Sequence, residues 1–228
     1  MSEKPAPQGI DVDLLTAFLT EKIDGFTGPL TVEPFEAGQS NPTYRLTTPD
    51  KNYVLRRKPS GKLLPSAHAV DREYRVMTAV GSVGFPVPKT YVYADDFDGV
   101  DTPFFVMDFV PGRVMWKTDM PDLSPDERRN AFESILQTMA QLHTIEPDAV
   151  GLDTFGKKGN YFARQIGRWT KQYKASETEN IPAMDRLIDW LPDNTPDTEE
   201  TRVIHGDMGL HNLMFHPTEP KIAAVLDW

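Results

Sequence analysis

A polar run near the end of the sequence contains the residues best suited to chemistry. Asp207 lies two positions after His205, and Asn212 lies five positions after Asp207. A carboxylate in such a loop can orient and deprotonate an attacking hydroxyl group, and an amide oxygen from the same loop can bind Mg²⁺. Asp227 follows the apolar segment 222–226, where its carboxylate could be a second magnesium ligand. This spacing predicts phosphoryl-transfer chemistry.

Each of these residues has an expected role. Asp207 is predicted to be the catalytic carboxylate, and His205 is predicted to brace the backbone of its loop. Asn212 and Asp227 are predicted to hold Mg²⁺ on the phosphates of a nucleotide. The alternative is that the run is a polar turn before a strand and that Asp227 is a strand-terminating cap. The remaining histidines, such as His211 and His68, form no spacing typical of metal ligands.

The elements that must position these residues can be predicted from apolar periodicity and turn residues. Helices are expected at 11–23, 66–80, 124–143, 161–174 and 183–191. Strands are expected at 30–35, 43–47, 52–56, 89–94, 104–109, 213–215 and 222–226. Ser124 and Glu127 have the spacing of a capping box, with Pro125 at the first helical position.

The order of these elements predicts an α+β fold with the bilobal layout of protein kinases. A sheet of about five strands with one inserted helix would form a small β-rich N-lobe, and the later helices and hairpin would form a helical C-lobe. We expect an N-terminal tail and helix over residues 1–27, the nucleotide-binding N-lobe over 28–110, and the C-lobe with the catalytic loop over 111–228.

Composition limits the classes of partner. The net charge of −10 argues against nucleic acid and anionic membranes, because both favour basic protein surfaces. The chain has no cysteine, which excludes disulfides and thiolate metal sites. Residues 1–9 lack the apolar segment of a signal peptide, and no apolar run is long enough to span a membrane. A cytoplasmic location is therefore expected.

Several motifs resemble a known family. The pattern His-Gly-Asp-x4-Asn at 205–212, followed by Leu-Asp-Trp at 226–228, resembles the aminoglycoside phosphotransferase and choline kinase family. Segments 35–41, 53–59 and 84–88 resemble the branch of that family associated with acyl-CoA dehydrogenases. The resemblance extends from about residue 30 to the last residue and implies ATP and Mg²⁺ as cofactors.

The resemblance also implies residues that bind the nucleotide. Gly38, Ser40 and Asn41 lie where the family has its nucleotide-covering loop, although a simple hairpin turn is an alternative. Strand 52–58 should carry the cation that binds the α- and β-phosphates. Because side chains alternate along a strand, Arg56 takes this position, with Lys58 as the alternative. Glu73, on the apolar stripe of the following helix, is the expected ion-pair partner.

The last strand of the N-lobe is expected to lead into a hinge. Backbone groups of Asp108, Phe109 and Val110 would bind adenine, and the apolar side chains of this strand would enclose it. The alternative is a buried strand without a binding role.

The expected function is an ATP- and Mg²⁺-dependent phosphotransferase that acts on a hydroxyl group of a small molecule. The acyl-CoA dehydrogenase association suggests a hydroxyacyl compound or its CoA ester as substrate. Chains of this family continue beyond the Asp-Trp pair, so the sequence is expected to be a C-terminally truncated form with an incomplete C-lobe. The alternative function is a truncated or degenerate module that binds a nucleotide or a partner without turnover.

Overall fold

The structure is a computed structural model that describes residues 9–35, 41–61, 68–196 and 200–228. These residues form two compact units. One unit comprises the chain up to Ile145 together with Ile204–Trp228, and the other comprises Glu146–Val203. All described residues of the predicted site belong to the first unit.

A five-stranded antiparallel sheet is the centre of the first unit. Its strands are β1 (Thr31–Pro34), β2 (Thr43–Thr47), β3 (Asn52–Arg57), β4 (Thr90–Ala94) and β5 (Phe104–Asp108). Their order is β1-β2-β3-β5-β4, with each neighbouring pair antiparallel. The predicted five-stranded sheet is confirmed, and every predicted strand boundary lies within one residue of the observed one.

The two faces of this sheet pack against different helices. On one face, Leu46, Leu55 and Phe104 share an apolar cluster with Leu15 and Leu19 of helix α1 (Val12–Lys22). On the other face, a second cluster joins the sheet to helix α2 (Val70–Gly81). Its buried members are Val54, Val70, Met77, Phe105 and Met107. Period-two alternation along β3 therefore decides which helix each side chain meets.

The start of α2 differs from the prediction of a helix over 66–80. The helix begins at Val70, because the backbone of His68 has a φ of 59°, which is outside the helical region. Ala69 is the N-cap residue, and it makes no capping hydrogen bond with its side chain. Residues 66 and 67 lie outside the described residues. The helix continues one residue beyond the predicted end and is followed by Gly84 at a φ of 79°.

A second, three-stranded sheet carries the residues around the catalytic loop. It consists of β6 (Arg113–Val114), β7 (Leu213–Phe215) and β8 (Ile222–Val225), in that order and antiparallel. The sequence did not predict β6, because two residues are too few to show periodicity. Gly112 precedes it where a Cβ would lie 2.4 Å from the carbonyl oxygen of Phe215, so only glycine fits this approach.

Helix α3 (Pro125–Thr144) also belongs to the first unit. The predicted capping box is present, since the Ser124 hydroxyl accepts from the Glu127 N–H and the Glu127 carboxylate accepts from the Ser124 N–H. The hydroxyl of Ser134 accepts a hydrogen bond of 2.9 Å from the backbone N–H of Ile222, which ties α3 to β8.

The second unit is helical. It contains α4 (Tyr161–Ser176) and α5 (Pro182–Trp190), each within two residues of its predicted bounds. Arg202 forms an ion pair of 2.9 Å with Glu146, which joins the two ends of this unit. In the described parts of the chain, no helix combines the length and the apolar character that crossing a membrane would require.

Candidate active site

The loop 205–212, which the sequence predicts to be catalytic, is organised around a buried amide. Asn212 is 5% exposed, and its Nδ2 atom donates to the carbonyl oxygen of Asp207 at 2.9 Å and to Oδ2 of the same residue at 3.2 Å. The Asp207 carboxylate itself is 71% exposed. A buried side chain thus orients an accessible carboxylate, as a base that must meet a substrate hydroxyl requires. His211, to which the sequence assigned no role, places Nε2 3.4 Å from Oδ2 of Asp207.

His205 connects this loop to the segment that carries Asp227. Its Nδ1 atom accepts from the backbone N–H of Asp207 at 3.3 Å, and its Nε2 atom lies 2.9 Å from the carbonyl oxygen of Leu226. Both contacts are satisfied by the tautomer with its proton on Nε2. The intervening Gly206 has a φ of 87°, which lets the chain turn sharply enough for this arrangement. These contacts join the loop to the segment before Asp227, and the bracing role of His205 stays a prediction.

Asp227 lies two residues beyond β8 in an unusual backbone conformation. Its φ is 63°, in the left-handed region that few residues other than glycine adopt. The N–H of the preceding Leu226 donates to the carbonyl oxygen of Asn212 at 2.8 Å, so the two predicted metal ligands come from hydrogen-bonded segments. The strand was predicted to end at Leu226, whereas it ends at Val225.

The donor set of this region suits Mg²⁺. With Nδ2 of Asn212 engaged by Asp207, the amide oxygen is the atom left to act as a ligand, and Asp227 contributes a carboxylate. Both are hard oxygen donors of the kind that Mg²⁺ prefers. Within the described ranges, no cluster of three or more His, Cys, Asp or Glu residues could hold a metal alone. The residues therefore fit a magnesium ion that takes its remaining ligands from water and phosphate.

Arg56 joins Asp227 to the N-lobe. Its Nη2 atom forms a hydrogen bond with Oδ1 of Asp227, and its Nε atom lies 2.9 Å from Oε2 of Glu73. The Nε–H bond does not point at Glu73, so this second contact is an ion pair rather than an aligned hydrogen bond. The predicted pairing of Arg56 with Glu73 is thus present. Lys58 forms no ion pair among the described residues.

Glu73 is 3% exposed and lies in an electrostatically unusual position. Burial and the nearby charge of Asp227 raise the pKa of its carboxyl group, whereas Arg56 and a hydrogen bond from Asn41 lower it, and the net result is a pKa of about 7. Burial prevails because one guanidinium group is shared between two carboxylates. The cluster consequently has more acidic than basic groups.

Of the three residues predicted for the nucleotide-covering loop, only Asn41 can be placed. Gly38 and Ser40 lie outside the described residues. Asn41 is buried, and its Oδ1 atom lies 2.9 Å from Nδ1 of His68. Its amide group is therefore engaged by His68 and Glu73 within the protein, and direct contact with a nucleotide stays a prediction.

The predicted hinge begins at the end of β5. The Asp108 carboxylate accepts from the Tyr91 hydroxyl at 2.6 Å and forms an ion pair with Lys51 at 2.7 Å. Burial and the hydrogen bond to Asp108 raise the pKa of Tyr91. Within the described chain, the backbone N–H of Val110 has no hydrogen-bond partner and is available to a ligand. The roles predicted for these hinge residues concern their backbone and stay predictions.

Phe109, the middle residue of the hinge, has aromatic and cationic neighbours. Its ring is nearly parallel to that of Phe35, with centroids 6.5 Å apart, and the Arg45 guanidinium lies 4.7 Å from its centroid. The sequence predicted none of these partners, because each contact joins residues far apart in the chain. A phenylalanine or an arginine in the sequence does not by itself indicate which distant ring it will contact.

The chain is similar to known proteins along most of its length. A model described as the phosphotransferase enzyme family matches residues 31–228. Acyl-CoA dehydrogenase family member 10 of Mus musculus is 46% identical over 202 residues, which are 89% of this chain and 19% of that protein. Family member 11 of Rattus norvegicus is 44% identical over 223 residues, which are 96% of this chain and 29% of that protein. The chain spans less than a third of these curated relatives.

Solved structures show the same fold. A Ralstonia eutropha protein, provisionally assigned as an aminoglycoside phosphotransferase, is 49% identical with a TM-score of 0.87, covering 96% of this chain and 64% of that chain. The GDP complex of aminoglycoside 2'-phosphotransferase-IIIa has a TM-score of 0.60 at 15% identity, covering 95% and 72% of the two chains. A mutant of aminoglycoside phosphotransferase APH(4)-Ia, in complex with AMP-PNP and hygromycin B, has a TM-score of 0.62 at 16% identity, covering 94% and 70%.

The two distant structures establish the fold alone. They confirm the predicted α+β class and a kinase-like fold that combines an antiparallel sheet with a helical part.

Proposed function

The chain belongs to the phosphotransferase enzyme family, and from this premise we propose that it is a small-molecule kinase. It transfers the γ-phosphoryl group of ATP to a hydroxyl group of its substrate, with Mg²⁺ on the nucleotide phosphates. Phosphoryl transfer requires mainly positioning and neutralisation of charge from the protein, and the proposed site provides groups of both kinds.

One observation carries this proposal: hydrogen bonds link three polar residues of the segment 207–227 to an arginine of the five-stranded sheet. The carboxylate of Asp207 accepts a hydrogen bond from the side chain of Asn212. The carbonyl oxygen of Asn212 accepts one from the N–H of Leu226, the residue before Asp227. Asp227 in turn is bonded to Arg56, which comes from the five-stranded sheet. A base, an amide ligand, a carboxylate ligand and a phosphate-binding cation thus occupy one continuous network.

The proposed roles follow from exposure and charge. Asp207 has the accessible carboxylate and would accept the proton of the substrate hydroxyl. Arg56 would exchange its bond with Asp227 for the α- and β-phosphates, since a guanidinium group binds phosphate oxygens in a bidentate manner. Asn212 and Asp227 would hold Mg²⁺. Bound Mg²⁺ neutralises negative charge on the phosphate oxygens.

The nucleotide is proposed to bind along the hinge. The N–H of Val110, which has no hydrogen-bond partner among the described residues, is suited to a ring nitrogen of adenine, and the apolar side chains of β5 would enclose the base. Relatives of this fold have been solved with AMP-PNP and with GDP. We propose ATP as the phosphoryl donor, and a comparison of ATP with GTP tests this choice.

The proposed acceptor is a hydroxyacyl compound or its CoA ester. The support is that the curated relatives with more than 40% identity are described as acyl-CoA dehydrogenase family members, whose names point to acyl-CoA chemistry. Aminoglycosides are the competing substrate class, because the solved relatives, including the Ralstonia eutropha protein at 49% identity, are described as aminoglycoside phosphotransferases.

The test is nucleotide consumption by the purified protein with ATP or GTP, Mg²⁺, and panels of hydroxyacyl-CoA esters, free hydroxy acids and aminoglycosides. We expect Mg²⁺-dependent consumption of ATP with a hydroxyacyl acceptor. Asp207→Asn should lower turnover about a thousandfold while leaving nucleotide affinity nearly unchanged, because a general base acts in the chemical step.

The results distinguish the candidate functions. Nucleotide binding without turnover on any acceptor would favour a nucleotide-binding module over a kinase. Absence of Mg²⁺-dependent nucleotide binding would contradict both. Turnover with aminoglycosides alone would retain the kinase and reject the acyl substrate class.

A further inference from the structure

The loop that follows α2 contacts the segment carrying Asp227. In this loop, residues 84–88, Phe85 is 3% exposed and meets the Trp228 ring edge-on, with centroids 5.8 Å apart and an interplanar angle of 80°. The backbone N–H of Val225 donates to the carbonyl oxygen of Pro86 at 2.8 Å. The loop therefore contacts the chain on both sides of Leu226 and Asp227.

Trp228 is held on a second side by the catalytic loop. Its ring lies 4.7 Å from that of His205, at an interplanar angle of 62°. Its Nε1 atom donates to the carbonyl oxygen of Val225 at 3.1 Å, which closes a tight turn around Asp227. We call Phe85, Trp228 and His205 the aromatic stack.

The backbone of Asp227 needs such support. A residue other than glycine in the left-handed region is strained and persists only where its surroundings fix it. The Asp227 side chain is 41% exposed, so burial of that side chain does not hold it. The flanking residues are fixed instead: Leu226 by Asn212 and His205, and Trp228 by the aromatic stack.

Helix α2 reaches this segment at two points. Near its beginning, Glu73 pairs with Arg56, which bonds to Asp227. At its end, the loop 84–88 provides Phe85 and the Pro86 carbonyl. Trp228 also packs against the apolar cluster that contains Met77 of the same helix. One helix and its following loop therefore brace both the side chain and the backbone of Asp227.

We propose that Phe85 and Trp228 are positioning residues that set the affinity of the site for its divalent cation by holding Asp227 in its left-handed conformation. This inference rests on the proposed function, in which Asp227 is a metal ligand. Neither ring contacts substrate or nucleotide in this proposal. Groups that orient a metal ligand affect metal affinity even though they never touch the ion.

The experiment measures binding of Mn²⁺, as a paramagnetic substitute for Mg²⁺, by electron paramagnetic resonance in the presence of ADP. The variants are Phe85→Leu and Trp228→Leu. The control is Phe26→Leu, because Phe26 is 4% exposed and belongs to the apolar cluster on the other face of the sheet. ADP affinity without metal and the midpoint of thermal unfolding are measured for every variant.

We expect Phe85→Leu and Trp228→Leu to weaken Mn²⁺ binding about tenfold, as loss of a group that supports a metal ligand typically does. Their metal-free ADP affinity should change by less than about twofold, because the hinge and Arg56 remain. Phe26→Leu should lower the unfolding midpoint by a similar amount and leave Mn²⁺ affinity unchanged.

The inference fails if Phe85→Leu binds Mn²⁺ as the unsubstituted protein does, or if Phe26→Leu weakens Mn²⁺ binding equally. If a leucine variant does not fold, Trp228→Phe, which keeps an aromatic ring but lacks the Nε1 donor, decides the question. It should weaken Mn²⁺ binding by less than tenfold, and an unchanged affinity would overturn the proposed role of Trp228. Failure of the unsubstituted protein to bind Mn²⁺ with ADP would instead contradict the proposed function.

Discussion

Two adjacent arginines on β3 have opposite surroundings. Arg56 lies on the face that packs against α2, where its guanidinium group is shared by Glu73 and Asp227. Arg57 lies on the face that packs against α1, where it forms an ion pair with Asp101 and donates to the carbonyl oxygen of Gly9 at 3.2 Å. Strand alternation alone separates a residue of the candidate active site from a residue of the scaffold.

The two arginines also differ in charge balance. Arg57 forms an ion pair with Asp101, donates to the carbonyl oxygen of Gly9 and lies 5.4 Å from the ring of Tyr44, so it connects the segment before α1 to the sheet. Arg56 faces two carboxylates, and the cluster has an excess of negative charge whenever both are ionised. Where carboxylates outnumber the arginine, Asp227 can release Arg56 and bind the Mg²⁺ of a magnesium–nucleotide complex in its place.

The strongest test of this comparison substitutes each arginine in turn. Arg56→Met should lower kcat/KM for the nucleotide about 100-fold or more, because it removes a preorganised charge from the phosphates. Arg57→Met should change kcat/KM by less than about threefold, since its partners lie on the other face of the sheet. Steady-state kinetics at saturating acceptor measures both. Equal losses of kcat/KM in the two variants would remove the functional distinction.

The part of this comparison that could be predicted from sequence depends on local periodicity. Alternation along β3 separated Arg56 from Arg57, and the helical stripe of α2 identified Glu73 as inward-facing. The fixed spacing from His205 to Asn212 lies in a single loop, so its internal contacts could be anticipated. These predictions required no knowledge of how distant elements pack.

Other features could not be predicted, because they depend on packing between distant segments. The contact of Phe85 with Trp228 and the ion pair of Lys51 with Asp108 join residues separated by a large part of the chain. The two-residue strand β6 exists because Gly112 allows close approach to β7. The late start of α2 depends on the conformation of His68, which bonds to Asn41. Periodicity provides no information about such tertiary contacts.

A smaller effect is expected on stability. Here the substitution of Arg57 should cost more than the substitution of Arg56, which is the reverse of their expected effects on kcat/KM. Arg57→Met should lower the free energy of unfolding by about 2 kcal/mol, because it breaks a mostly buried, charge-assisted hydrogen bond and frees the segment before α1. Arg56→Met should cost less, since Glu73 is held largely in its neutral form by burial. Urea unfolding at pH 6 measures both variants. A greater loss for Arg56→Met would contradict the assignment of Arg57 to the scaffold.

The change in stability expected for one pH unit is smaller still, and this pH dependence belongs to the Arg56 face alone. The pKa of Glu73 is about 7 in the folded protein and has an ordinary value near 4.5 in the unfolded chain. Between these values the folded state retains a proton that the unfolded state has lost. The contribution of Glu73 to stability is therefore fully present below about pH 4.5 and falls as the pH rises to about 7, by at most about 1 kcal/mol per pH unit.

Glu73→Gln should remove this component, because glutamine stays neutral throughout. Unfolding by urea at several values between pH 5 and pH 7, without nucleotide, would show a flatter profile for Glu73→Gln than for the unsubstituted protein. Asp101→Asn is the matched control, since it removes a carboxylate that pairs with Arg57 and retains the buried Glu73. Its unfolding free energy should depend on pH as steeply as that of the unsubstituted protein. A slope that survives in Glu73→Gln would mean that Arg56 keeps Glu73 ionised, so that both carboxylates around Arg56 would be charged before any nucleotide binds.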